Sequence, residues 1–159
     1  MRHYWRVWLV AACLKVLLFP SYHSTDFDVH RNWLAITHSR DASKWYADEP
    51  LQNQWTLDYP PLFAMYEAIL SKIAARVDMK IVEESEGDYA STKCVRFQRA
   101  TVIITELASL GVAVRAATTG DAKSALAFAG SGALLLVDHV HFQYNGCLLY
   151  TSPSPRDRG

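Results

Sequence analysis

The apolar residues of this 159-residue chain are gathered into a few blocks instead of being spread evenly. Half of the residues are hydrophobic and 20% are charged, averages that would suit a single soluble domain. The blocks occupy residues 5–19, 100–117 and 124–137, and each predicts a membrane-crossing helix, the first and third being short for a span. The pattern therefore predicts an all-α polytopic membrane protein fragment with about three transmembrane helices.

The first block carries the signals of a membrane anchor. Arg2 and Arg6 stand at its start, and Pro20 ends any helix that begins there. A cleaved signal peptide is the alternative, but no small-residue cleavage site precedes Ser21, which favours an uncleaved anchor. Because basic residues stay on the cytosolic side, we expect the chain after Pro20 to emerge on the luminal or external side.

The segment Leu62–Val77 is amphipathic at helical spacing. Charged residues inside it would be costly in hydrocarbon, so we expect this helix to lie on the membrane surface and not to cross. Residues 20–99 then form one luminal loop with amphipathic helices. The basic connector between the second and third spans stays cytosolic, and residues 138–146 form a second luminal loop. The apolar stripe of the segment comprises Leu62, Tyr66, Ile69, Leu70, Ile73 and Val77, and its other side Glu67, Ser71, Lys72 and Arg76.

Charge and cysteine spacing exclude several classes of function. The formal net charge is +0, so there is no electrostatic argument for a nucleic-acid partner. The three cysteines, Cys13, Cys94 and Cys147, have neither zinc-site nor disulfide spacing, and we expect unpaired thiols. The sequence also lacks a glycine-rich phosphate loop and a nucleophile elbow, which leaves a nucleotide-sugar fold unsupported.

The C-terminal residues 147–159 break from the preceding pattern. Cys147–Asp157 matches, residue for residue, the translation of a sequencing-library transposon adapter. We therefore expect residues 1–146 to be natural sequence that continues past Gly146, and we leave residues 147–159 out as an artefact. A genuine disordered tail is the alternative, since proline- and serine-rich ends are common.

Two carboxylates follow the first predicted span. Asp26 and Asp28 stand near Arg31, and carboxylates at a membrane surface can act as a general base or hold a metal, while an arginine can pair with a phosphate. The alternative is structural. Asp26 can simply cap the helix that begins near Phe27.

An aromatic and acidic run lies before Leu62. Trp55, Asp58 and Tyr59 precede two prolines, and such a surface suits a sugar ring, which stacks on aromatic faces and bonds to carboxylates. It suits a membrane interface equally well, because Trp and Tyr form anchoring belts there. The residues alone leave both interpretations open.

A third polar group follows the last predicted span. Asp138, His139 and His141 have the residue types of a metal site, with both histidines on one side of an extended segment. No separate third ligand accompanies them, and zinc sites need three or four. We therefore expect this segment either to orient a substrate or to satisfy the polar groups of a loop, and we expect no metal.

Four stretches carry a resemblance to a known family, and the resemblance as a whole covers almost everything from Trp5 to Gly146. Their amino-acid sequences closely resemble those of the endoplasmic-reticulum glucosyltransferases that use dolichyl-phosphate glucose to extend the lipid-linked oligosaccharide for N-glycosylation. Within that family they are similar to the branch that adds the second glucose, to Glc1Man9GlcNAc2-diphosphodolichol. The stretches are Ser21–His38, Trp55–Pro61, Phe97–Arg99 and Asp138–Asn145.

The resemblance implies a GT-C membrane fold in a multi-pass protein of the endoplasmic-reticulum membrane, with luminal catalytic loops in contact with membrane lipid. It implies dolichyl-phosphate glucose as donor and a lipid-linked oligosaccharide as acceptor, and we expect no cofactor, no metal and no nucleic-acid partner. It gives Asp26 the role of catalytic acid–base group. The substrate-binding residues that we infer beside it are Asp28, His30, Arg31, Trp33, Trp55, Asp58, Tyr59, Asp138, His139, His141 and Gln143.

Two alternatives remain at this point. One is transfer of the first glucose to Man9GlcNAc2-diphosphodolichol, and the other is a non-catalytic, membrane-anchored module that binds an oligosaccharide. The family also has many more spans than three. We therefore expect the N-terminal part represented here to be inactive alone.

Overall fold

A computed structural model describes residues 2–47, 55–85 and 89–145 of the protein. All regular structure in these residues is helical, without any strand, which confirms the all-helical part of the predicted fold class. The predicted artefact at residues 147–159 lies outside the described residues. The elements are α1 (Arg2–Val16), α2 (Asp26–Ser39), a 3₁₀ turn (Ala42–Lys44), α3 (Pro61–Val77), a 3₁₀ turn (Met79–Val82), α4 (Thr92–Ala108), α5 (Leu110–Ala117), α6 (Ala122–Ala129), α7 (Gly132–Leu134) and a π-helical segment (Leu135–Phe142).

Two helical stretches of the described chain are long and apolar enough to cross a membrane. They are Thr92–Ala117, which has 26 residues, and Ala122–Phe142, which has 21. Both are longer than the predicted spans 100–117 and 124–137, because polar residues at their ends continue the helices. The first predicted span, residues 5–19, corresponds to α1, which has only 15 residues. The predicted number of three spans therefore stays a prediction.

The chain divides into two compact units. The terminal unit consists of the described parts of Met1–His23 and Arg99–Gly159, and the central unit is Ser24–Gln98. The division falls within α4.

The core of the terminal unit joins α1 to α5 and α6. The hydroxyl of Tyr4 donates to the carbonyl oxygen of Gly111 at 2.5 Å, so the polar end of this buried ring is satisfied. Asp121 caps α6, and its carboxylate accepts from the backbone N–H of Lys123 and Ser124. The buried side chains of this core are Tyr4, Trp8, Leu110, Val114, Ala125 and Ala129.

In the central unit, α2 packs against α3 through a face that the sequence pattern did not predict. The sequence pattern places Glu67 and Ser71 on the polar side of α3, and each is only 1% exposed. Both have hydrogen-bond partners, which makes this burial possible. Glu67 meets His30 of α2, and the Ser71 hydroxyl donates to the carbonyl oxygen of Ala68.

The opposite face of α3 exposes apolar side chains. Leu62 is 70% exposed, Ile69 61% and Ile73 45%, and helical geometry places the three on one stripe. Lys72 and Arg76 are exposed beside them. The expected placement of this helix on a membrane surface stays a prediction, and these residues define the face that it would use.

The segment that begins at Asp138 is helical and not extended, as far as Phe142. The apolar run before it continues without a break into the π-helical segment, and the N–H of Gln143 donates back to the carbonyl oxygen of Asp138 at 3.4 Å. The expectation of an extended segment is therefore wrong. Its luminal location stays a prediction.

Candidate functional site

Asp26 is the first residue of α2, one position after Thr25, the residue at the N-cap position of that helix. Thr25 makes no side-chain capping bond, and the Ser24 hydroxyl accepts from the N–H of Asp26 at 3.1 Å. Asp26 and Asp28 are both partly exposed in the first turn of α2, where the N-terminal end of a helix favours negative groups.

His30 lies in a buried aromatic cluster and meets an acid that the sequence did not single out. Its Nδ1 lies 3.0 Å from Oε1 of Glu67, and the two side chains are 3% and 1% exposed. Burial raises the pKa of Glu67, while its hydrogen bond to His30 lowers it, and the net shift is upward. The rings of Trp33, Tyr59 and Phe63 surround His30, with centroids 4.7 to 5.9 Å away.

Arg31 is 2% exposed and holds the chain that follows α3. Its Nη2 donates to the carbonyl oxygens of Lys80 at 3.3 Å and Glu83 at 2.5 Å, and to the Ser85 hydroxyl at 3.1 Å. The guanidinium is thus bound to protein groups inside the central unit, a geometry that does not favour the expected role in binding a phosphate.

Two side chains of α2 fix the aromatic and acidic run. The amide of Asn32 donates to the carbonyl oxygen of Trp55 at 2.5 Å, and the indole of Trp33 donates to that of Thr56 at 2.8 Å. With this backbone held, Asp58 is exposed and Tyr59 partly exposed. Tyr59 packs against Trp33, with ring centroids 4.7 Å apart. His30 and Trp33, expected to touch substrate, thus lie behind the run and support it.

In the terminal unit, the π-helical segment divides its polar residues between the interior and a groove. Asp138 is 2% exposed, and one of its oxygens accepts from the backbone and side-chain amides of Asn145 at 2.9 and 3.0 Å. His141 is exposed and Gln143 partly exposed. Both line a groove of about 520 Å³ together with Tyr22. Of the two histidines in this segment, His141 is the one that a ligand can reach.

His139 is buried and binds Glu106 of α4. Its Nε2 lies 2.5 Å from Oε2 of Glu106, whose carboxylate also receives the Lys15 ammonium at 2.5 and 2.7 Å. Arg99 donates to the backbone oxygens of His139 and Tyr22. Sequence reasoning did not assign these partners, although Lys15 and Glu106 are charges inside apolar blocks, a pattern that indicates a paired or functional group.

The predicted site residues thus fall into two groups. The central unit brings together the residues from Asp26 to Trp33 and from Trp55 to Tyr59, and the terminal unit holds those from Asp138 to Gln143. Among residues 2–47, 55–85 and 89–145, no three His, Cys, Asp or Glu side chains are grouped so that they could hold a metal ion. The expected independence from metal stays a prediction.

Residues 11–151 match the ALG6, ALG8 glycosyltransferase family. The chain is similar to proteins called dolichyl pyrophosphate Glc1Man9GlcNAc2 alpha-1,3-glucosyltransferase from Gibberella zeae, at 49% identity over 87% of this chain and 28% of the relative, and from Arabidopsis thaliana, at 50% over 88% and 28%. A Drosophila melanogaster protein with the same description, marked probable, is 46% identical over 91% of this chain and 30% of the relative.

These similarities agree with the resemblance carried by the motifs. The chain spans less than a third of the length of these curated relatives. The family match covers most of the chain, including both groups of site residues. The chain therefore belongs to the ALG6, ALG8 glycosyltransferase family.

Proposed function

We propose that the full-length protein containing this chain transfers glucose from dolichyl-phosphate glucose to Glc1Man9GlcNAc2-diphosphodolichol and forms an α-1,3 linkage. The observation that carries this proposal is the position of Asp26. It stands partly exposed at the start of α2 in a chain that is 46% to 50% identical to three relatives with that acceptor in their names. Membership of the family supports the reaction type, and the names of the relatives support the acceptor.

Asp26 acts as the general base in this proposal. Its carboxylate takes the proton of the acceptor glucose 3-hydroxyl as that oxygen attacks the anomeric carbon of the donor. The bond between that carbon and the phosphate oxygen breaks, and dolichyl phosphate departs from the opposite face with the bonding electrons. The configuration is thereby inverted. The partial exposure of Asp26 supports this role, because a base must reach a bound hydroxyl.

The acceptor sugar lies on the aromatic and acidic run. Asp58 is exposed, and Trp55 and Tyr59 are partly exposed, so an acid and two aromatic faces are available to hydroxyl groups and sugar rings. Asn32 and Trp33 hold the backbone of this run from behind. Such support lets the run keep its shape when a substrate binds.

The leaving phosphate is received at the groove of the terminal unit. His141 and Gln143 line this groove with Tyr22, and histidine and amide groups can donate hydrogen bonds to phosphate oxygens. Arg31 is not assigned this role, because it is buried on protein carbonyl groups. A monophosphate already carries stable charge as it leaves, so the proposal includes neither a metal nor another cofactor.

The proposed setting is the endoplasmic-reticulum membrane. A multi-pass protein with luminal catalytic loops would meet both lipid-linked substrates there, in contact with membrane lipid. The two helices long enough to span, Thr92–Ala117 and Ala122–Phe142, support a membrane location. We expect residues 1–146 alone to be inactive, because the relatives are more than three times as long as the part matched here.

The test is a transfer assay on the full-length protein that carries this segment, purified in detergent. Dolichyl-phosphate glucose is compared with a nucleotide-linked glucose as donor, and the Glc1Man9 lipid-linked acceptor with the Man9 form. We expect transfer only from the dolichol-linked donor and preferentially to the Glc1Man9 acceptor. Preference for the Man9 acceptor would instead assign the first glucose. Binding of oligosaccharide without transfer from either donor would favour the non-catalytic module.

A further inference from the structure

Three ionisable side chains meet inside the terminal unit at Glu106. The Lys15 ammonium of α1 contacts both carboxylate oxygens of Glu106, at 2.5 and 2.7 Å, and His139 Nε2 lies 2.5 Å from one of them. The three residues are 4%, 3% and 4% exposed, in that order. One carboxylate of α4 therefore joins α1 to the π-helical segment.

Burying these three ionisable side chains costs free energy, so we looked for a function that their contacts could serve. Removing charges from water costs several kcal/mol per ion, and apolar residues of similar volume often stabilise a fold as well as a buried ion pair. Glu106 lies within a helix long enough to cross a membrane, where ionisable residues are costly and usually functional. The proposed reaction gives Glu106 no direct role, so its purpose has to be sought in what it holds.

Glu106 holds His139, which directly precedes a residue that lines the groove. His139 stands two residues before His141 in the π-helical segment, and Val140, His141 and Gln143 line the groove. Arg99 lies on α4 two helical turns before Glu106 and donates to the carbonyl oxygens of His139 and Val140. Glu106 thus holds the His139 side chain, and Arg99 holds the backbone of the same segment.

The register of a π-helical turn needs such support. A π-helical turn is rare in proteins and is frequently found at functional sites. A change from π to α pairing would rotate every later residue of the segment. His141 would then leave its position in the groove. The hydrogen bond that His139 donates to Glu106 opposes that rotation directly.

We propose that Glu106 is a positioning residue, which sets the π-helical register through His139 and thereby places His141 to receive the donor phosphate. This inference rests on the proposed function for its substrate. The rival explanation is that Glu106 only balances the charge of Lys15. Two double variants separate these explanations, K15M/E106Q and K15M/E106L. Both lack the ion pair and have similar volumes, but only Gln at position 106 can hydrogen-bond to His139.

The variants are made in the full-length protein, and the KM for dolichyl-phosphate glucose and kcat are measured. We expect K15M/E106Q to stay within about threefold of the wild-type KM and K15M/E106L to raise KM at least about tenfold, with a smaller change in kcat, because misplaced binding groups weaken substrate positioning. Equal KM values for the two folded variants, whether normal or raised, would overturn the proposal.

A second measurement does not depend on the donor. His141→Cys is added to the same two double variants, and the rate of thiol labelling at this site alone is followed by mass spectrometry. We expect at least about a fivefold difference in rate between them, since a one-residue change of register moves this side chain. Equal rates would refute the positioning role. Failure of the proposed function appears separately, as absence of glucose transfer by the wild-type protein.

Discussion

Replacement of Glu67 tests how the central unit holds α2, the helix that begins at Asp26. Glu67 is 1% exposed and lies 3.0 Å from His30. Glu67→Ala removes one partner of a buried pair and leaves the other without its hydrogen bond, a change that costs about 3–5 kcal/mol. Amide hydrogen exchange of α2 and α3 should then accelerate roughly 10²- to 10⁴-fold. Mass spectrometry of the full chain in detergent micelles measures this change.

Lys72→Ala is the matched control on the same helix. Lys72 is exposed, so its truncation should change local stability by no more than about 0.5 kcal/mol. If the Glu67 and Lys72 variants exchanged at equal rates, the buried pair would not hold the two helices together.

Glu67→Gln separates the hydrogen bond from the charge. The amide can still bond to His30, but it does not titrate. Because the folded pKa of Glu67 is raised above its usual 4.5, the stability that this carboxyl contributes is fully present below pH 4.5 and is lost as pH rises through the raised pKa. The stability of the Gln variant should therefore increase relative to wild type as pH rises over that window. A relative decrease over the same window would refute the reasoning.

Three further variants test other contacts of the two units. Arg31→Lys keeps the charge but loses the planar guanidinium, so exchange at Met79–Val82 should accelerate in line with a loss of about 1.5–3 kcal/mol. Glu84→Gln should cost about 0.5–1 kcal/mol at neutral pH. The hydrogen bond from Arg40 lowers the pKa of Glu84, so this difference should vanish as pH falls through that pKa, as acid unfolding curves would reveal. His141→Ala should raise the KM for the dolichol-linked donor about tenfold in the transfer assay, with normal folding, because this side chain is exposed.

Hydrophobic blocks and motifs predicted the helical character of the chain and the residues of the candidate site. Periodicity did not predict which side of α3 would be buried. It sorts residues by polarity alone, and it therefore placed Glu67 on the polar side of the helix. The partner that makes its burial possible, His30, stands 37 positions away, and pairing over such a distance is a tertiary effect that no local pattern contains.

The sequence also did not predict which polar residues of the π-helical segment are buried. The sequence brought Asp138, His139 and His141 together as one polar group, but the structure buries the first two and exposes the third. The difference depends on Glu106 and Asn145, which bind His139 and Asp138. The charge of Arg31 suggested that it binds a phosphate. In the structure it donates to backbone carbonyl oxygens, and a pattern of side chains cannot predict such partners.

Glucose transfer by Asp26→Asn tests the central claim most directly. The variant is made in the full-length protein and compared with Asp41→Asn, a matched change at an exposed aspartate of the same unit. Loss of a general base lowers the rate about 10²- to 10⁴-fold. We predict a loss of this size for Asp26→Asn with normal folding, and wild-type transfer for Asp41→Asn. Near-normal transfer by a folded Asp26→Asn variant would contradict the account.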